Sequence, residues 1–94
     1  MYIDRKKLKD ICEKHKVASL YLFGSFAKNE ANEESDIDFL VKFGEVDLYD
    51  YFDNYLALKE TLEKTYNREV DLLEEQTLKN PFLKQSIEES KILV

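Results

Sequence analysis

The stretch from Phe23 to Val41, FGSFAKNEANEESDIDFLV, constrains the fold more than any other part of this chain. It leaves an apolar run, breaks at Gly24-Ser25, crosses a polar segment and returns to an alternating apolar pattern. The run before the break, VASLYLF from Val17 to Phe23, is short, rich in β-forming residues and closed by glycine, which predicts a strand. The run after it, DIDFLVKF from Asp36 to Phe43, predicts a second. Successive side chains of a strand point to opposite faces, so Ile37, Phe39, Val41 and Phe43 share one face, which must be core. Asp36, Asp38, Leu40 and Lys42 share the other.

Helices are predicted around these strands. Asp4 is placed to cap a first helix of about 11 residues, with Leu8, Ile11, Cys12 and His15 on one stripe. Cys12 reads as a small core residue, and His15 as a last-turn imidazole suited to the helix dipole. A short helix is expected from Ser25 to about Ala31, then a polar turn at Asn29, Asn32, Glu33 and Glu34. The longest helix is expected from Asp47 to about Tyr66. Leu48, Tyr51, Tyr55, Leu58 and Leu62 form its buried stripe, and Glu60–Lys64 a favourable pair. Asp47, Asp50 and Asp53 step by three, which reads as a solvated face with acidic charge near the helix start. The tyrosines read as core and boundary residues. Asn67 turns the chain into a third strand, Glu69 to Leu73, with Asp71 and Leu73 on one face and Val70 and Leu72 on the other. Asn80-Pro81 opens a last helix to about Ser90, and the closing Ile92-Leu93-Val94 reads as an extended tail or edge strand. The order is that of a small α/β domain with one sheet of three core strands flanked by helices.

Ninety-four residues imply a single domain, 1–94, with little room for a second lobe. With 44% hydrophobic and 36% charged residues the chain is expected to be globular, not disordered. A net charge of −6 with no evident basic stripe argues against direct nucleic-acid binding and favours a small ligand or a protein partner. Cys12 is the one cysteine, so no internal disulfide is possible. No apolar run approaches a membrane span and the N-terminus lacks the apolar core of a signal peptide, so a soluble cytoplasmic protein is expected.

The two halves of the central stretch suggest chemistry. A glycine after a strand, opening a helix, lets backbone approach a phosphate, and the first-turn N–H groups and Ser25 hydroxyl add donors. Alone, the pattern is equally a simple helix cap. Asp36 and Asp38 put two carboxylates on one face of a strand, where they repel unless a cation sits between them. Such hard oxygen ligands suit Mg²⁺, although an exposed D-x-D at a strand start is equally a surface feature. Asp71 would add a third carboxylate if its strand neighbours the second.

Together, Gly24-Ser25, Ser35-Asp36-Ile37-Asp38 and Asp71 resemble the nucleotidyltransferase superfamily of DNA polymerase β, and more narrowly its minimal, free-standing members. These are often the antitoxin half of a pair whose other half is a HEPN-domain ribonuclease. The resemblance spans nearly the whole chain. It implies a polymerase β-like fold with a mixed sheet, with Gly24, Ser25 and Lys28 on the triphosphate of ATP. Asp36, Asp38 and Asp71 would bind two Mg²⁺ ions, and Asp71 would help to deprotonate the acceptor hydroxyl. It further implies that AMP is transferred to a tyrosine of a HEPN-domain toxin, which is thereby silenced. Family members often carry Arg-Gly where this chain has Lys28-Asn29; lysine keeps the charge without arginine's bidentate fork. Three alternatives are a non-catalytic module that neutralises its partner by contact, an enzyme for a small hydroxylated substrate such as an aminoglycoside, and a nucleic-acid polymerase.

Overall fold

Local signals place every major element of the computed structural model, which describes residues 4–28, 30 and 35–94. Asp4 accepts the N–H groups of Lys6 and Lys7 and so starts α1, Arg5–Lys14. Asp47 caps α3, Leu48–Tyr66, through the Tyr49 N–H. Asn80 accepts from Phe82 and Leu83, and Pro81 stands at the first position of α4, Pro81–Ser90. Asn67 ends α3 in the left-handed region at φ 52°, ψ 44°, which asparagine tolerates. The strands are β1, Val17–Phe23; β2, Ile37–Phe43; β3, Val70–Glu74; and β4, Ile92–Leu93. α2 is a single turn, Gly24–Ala27, and a 3-10 turn at Glu75–Thr77 follows β3. The expected helix from Ser25 to Ala31 is therefore shorter and starts one residue earlier. Ala31, Asn29 and the expected turn at Asn32, Glu33 and Glu34 lie outside the described residues.

The sheet runs in the order β3-β2-β1-β4. β1 pairs antiparallel with β2 and β4, and β2 pairs parallel with β3, so the sheet is mixed. The final residues do form an edge strand, which makes the sheet four-stranded rather than three.

Parity sets the layers. Ile37, Phe39, Val41 and Phe43 pack with Val70 and Leu72 against Leu8 and Ile11 of α1 and Leu58 and Leu62 of α3. On the opposite face Leu40 joins Phe23 and Ile87 of α4 in a smaller cluster, flanked by Tyr21, Leu73 and Leu78. Leu40 shares the face of the aspartates, yet α4 buries it to 2% exposure. The expected stripe of α3 holds for Tyr51, Tyr55, Leu58 and Leu62 but not for Leu48, which is 88% exposed, because the helix's first turn lies beyond the core. Glu60 and Lys64 do not close the expected ion pair; among the described residues Lys91 pairs with Glu88 at 2.7 Å. Among the described residues no helix is long and apolar enough to cross a membrane.

Candidate active site

Parallel pairing of β2 with β3 sets Asp38 directly beside Asp71. Neighbouring strands lie about 4.8 Å apart, and matched residues project to the same side. Here that side is the one on which Leu40 and Leu73 pack with Ile87. α4 thus seals the apolar middle of this face, while Asp71 and Asp36, which directly precedes β2, stay exposed and Asp38 is half-buried. Crowding registers on Asp38: burial first, then the charges of Asp71 and Asp36, push its carboxyl above the ordinary aspartate value.

The glycine turn lies against the same carboxylate. Phe23, the last residue of β1, pairs with Asp38 across the ladder, and Gly24 follows with φ +71°. A Cβ on residue 24 would stand 2.2 Å from Asp38 Oδ2 and 3.1 Å from its Cγ. Glycine is needed twice over, for the left-handed backbone and for the space the carboxylate occupies. Ser25 is not the cap of α2; Phe23 holds that position without a side-chain hydrogen bond. Being one turn long, α2 has only a weak dipole, so close backbone approach is the larger contribution it makes to anion binding. Lys28 is exposed at the end of that turn, its N–H bonded to the Gly24 carbonyl at 3.0 Å. Asn29, the other half of the Lys28-Asn29 departure, is outside the described residues.

One residue that shapes this site has no signature in the sequence. Arg68, in the connection after α3, donates from Nη1 to the Ser35 carbonyl at 3.0 Å and lies 5.1 Å from the centre of the Phe26 ring. It thereby ties α2 to the residue preceding Asp36. Ser35 and Phe26 both stand more than thirty positions away from it in the chain, so no local pattern marks these side-chain contacts.

The donor set suits a hard divalent cation. Carboxylates at Asp36, Asp38 and Asp71 are gathered on one face, and their mutual repulsion is what such a cation relieves. Among the described residues no three His, Cys, Asp or Glu side chains are arranged to hold a metal ion by themselves. Magnesium seldom needs such a cage, since it takes one or two carboxylates and completes its shell with water and phosphate oxygens.

The other residues weighed in the sequence lie elsewhere. Cys12 is half-buried against the core, and burial raises its thiol. His15 ends α1 with Nδ1 2.7 Å from the Ile11 carbonyl, while its own carbonyl accepts from Asn54. Asp47, Asp50 and Asp53 are exposed, as expected of a solvated face. Tyr51, Tyr55 and Tyr66 are boundary residues, half-buried against the core.

The sequence profile described as the nucleotidyltransferase domain matches residues 4–94. A Methanocaldococcus jannaschii protein, provisionally named a protein adenylyltransferase, is 48% identical over 90 residues, which cover 96% of this chain and 89% of that protein. The protein adenylyltransferase MntA of Thermococcus cleftensis is 35% identical over 81 residues, covering 86% of this chain and 79% of that one. A solved structure provisionally described as a minimal nucleotidyltransferase superposes with a TM-score of 0.79 at 31% identity, over 96% of this chain and 88% of that one. The fold also matches a chain in the structure of a tri-AMPylated Shewanella oneidensis HEPN toxin in complex with an MNT antitoxin. That match has a TM-score of 0.64 at 21% identity, over 94% of this chain and 66% of that one. The chain belongs to the nucleotidyltransferase domain family.

Proposed function

We propose that this nucleotidyltransferase is a protein adenylyltransferase antitoxin. It transfers AMP from ATP to a tyrosine hydroxyl of a HEPN-domain ribonuclease in the cytoplasm and so silences that toxin. One observation carries the reading: Asp38 and Asp71 stand side by side on parallel strands, against a glycine turn where the Asp38 carboxylate occupies the space a Cβ at Gly24 would need. The relatives named as adenylyltransferases, and the AMPylated HEPN toxin found with an MNT antitoxin, support the choice of reaction and acceptor.

In this reading Gly24, Ser25 and Lys28 receive the triphosphate: the turn offers close backbone approach, Ser25 a hydroxyl and Lys28 a positive charge. Asp36, Asp38 and Asp71 hold two magnesium ions, which when bound would neutralise charge at the attacking and leaving oxygens. The acceptor oxygen forms a bond to the α-phosphorus while the bond to the bridging oxygen breaks, and pyrophosphate leaves with that electron pair. Asp71, exposed on the open side, takes the hydroxyl proton. Most of the catalytic effect is placement and electrostatics rather than covalent work by the protein.

Intact-mass spectrometry tests this. The chain is mixed with a HEPN-domain protein, ATP and Mg²⁺, with Asp36→Asn/Asp38→Asn as control. The expected result is a gain of one or more AMP masses on the partner with the unmutated chain only. A stable complex that gains no mass would make the chain a neutralising binding module instead.

A further inference from the structure

Of the three carboxylates, Asp36 alone lies outside the strand registers. Asp38 stands opposite Phe23 on one side and Asp71 on the other, whereas the pairing of β2 with β3 begins only at Ile37. What holds Asp36 is the connection between α3 and β3, through the residues on either side of it. The Ile37 N–H donates to the Glu69 carbonyl at 3.0 Å, and the Ser35 carbonyl accepts from Arg68 Nη1 at 3.0 Å.

That connection is itself tied down. The Arg68 N–H donates to the Glu63 carbonyl at 3.3 Å, and the Val70 N–H to Glu63 Oε2 at 3.2 Å. The Arg68 backbone is thus fixed to the end of α3. Its guanidinium lies 5.1 Å from the centre of the Phe26 ring, a distance at which cation and ring attract. Phe26 packs with the core cluster on the inner face of β2, so the guanidinium approaches the site from the core side. A planar guanidinium can cover a ring and donate from its edge at once, which the point charge of an ammonium does less well.

We propose that Arg68 is a positioning residue for divalent-cation binding: seated on Phe26, it grips the Ser35 carbonyl and so sets where the Asp36 carboxylate stands relative to that of Asp38. The proposal rests on the function proposed above, in which Asp36 and Asp38 hold a cation. Asp36 is exposed and has no packing of its own to orient it, while Asp38 is half-buried. Two carboxylates already standing together lose less freedom on binding an ion than one fixed and one loose. Without Arg68, Asp38 and Asp71 stay where the parallel ladder puts them, and Asp36 is released. The loss therefore falls on cation affinity rather than on the core.

The probe is Mn²⁺, followed by the electron paramagnetic resonance of the free ion in the presence of a non-hydrolysable ATP analogue. Arg68→Met keeps an unbranched stem and removes the donor and the charge. It is expected to weaken Mn²⁺ binding about 10-fold, the lower end of what losing a ligand's supporting hydrogen bond costs. Arg68→Lys retains a donor and a charge and is expected to lose about 3-fold at most. In an Asp36→Asn background Arg68→Met is expected to change Mn²⁺ affinity less than about 2-fold, because its effect passes through the missing carboxylate. Equal weakening in both backgrounds would mean a general loosening of the site and would overturn the proposal. If Arg68→Met does not fold, Phe26→Leu carries the same comparison: it removes the ring, keeps an apolar side chain and is expected to weaken binding about 3-fold in the Asp36 background alone. Mn²⁺ affinity that Asp36→Asn leaves unchanged sinks the reading of Asp36 as a cation ligand, and the proposal with it. Weakening by Asp36→Asn but not by Arg68→Met sinks the proposal and leaves the cation site standing.

Discussion

The two faces of β2 are one residue apart in phase and differ in what they do. Along Ile37, Phe39, Val41 and Phe43 the strand is apolar throughout and at most 8% exposed, enclosed by α1 and α3. Along Asp36, Asp38, Leu40 and Lys42 the character changes along the strand, from two carboxylates to a leucine buried under α4 to an exposed lysine. The inner face carries stability, since each buried large side chain contributes about 1.5–3 kcal/mol. The outer face carries charge that opposes folding when nothing neutralises it. Because the pleat separates the two, the charged groups are open to change without emptying the core.

Substitutions on and between the faces sharpen that contrast. Phe39 is fully buried, so Phe39→Ala is expected to cost about 3–5 kcal/mol in urea denaturation. A cost near 1 kcal/mol would mean that the inner face is not what holds the fold. Gly24 joins the two regions. Gly24→Ala forces alanine into φ +71° and drives its Cβ into the Asp38 carboxylate, for an expected loss of about 1–3 kcal/mol and of nucleotide transfer. In an Asp38→Ala background the steric part disappears, and only about 1 kcal/mol of backbone cost should remain. Equal costs in both backgrounds would refute the close approach.

The smallest effect is on the outer face. Asp38 has its carboxyl raised by burial and by Asp71 and Asp36, so the ionised form is disfavoured in the folded chain. Its cost to stability is therefore absent below the ordinary aspartate value of 3.8 and present once pH has risen through the folded value. Without metal near neutral pH, Asp38→Asn should melt at the same temperature or up to about 4 °C higher. That gain should vanish as the pH falls below the ordinary value. A variant that melts lower at neutral pH would make Asp38 a structural residue.

How far the chain could be read in advance varies by residue. The caps at Asp4 and Asn80 act within three positions and were legible, whereas Asp47 read as the first residue of its helix and proves to be its cap. Leu48 was not: a 3-4-3-4 spacing says which residues share a stripe but not where the helix outruns the sheet beneath it. Leu40 showed its face by parity, yet its burial depends on α4, more than forty residues later. Arg68 was invisible because its carbonyl and ring partners are brought to it only by the fold.

By itself the sequence determined the two faces of β2, the glycine break before the aspartates and the ends of the helices. Each rests on dihedral preference, side-chain alternation or a hydrogen bond to a near neighbour. Only the tertiary structure decided that β3 lies parallel to β2 with Asp71 beside Asp38. Nor did local pattern decide that the Asp38 carboxylate fills the space next to Gly24, or that the first turn of α3 leaves Leu48 in solvent. Strand neighbours and uncovered surface follow from how distant segments share backbone hydrogen bonds and burial, and no local pattern carries that choice.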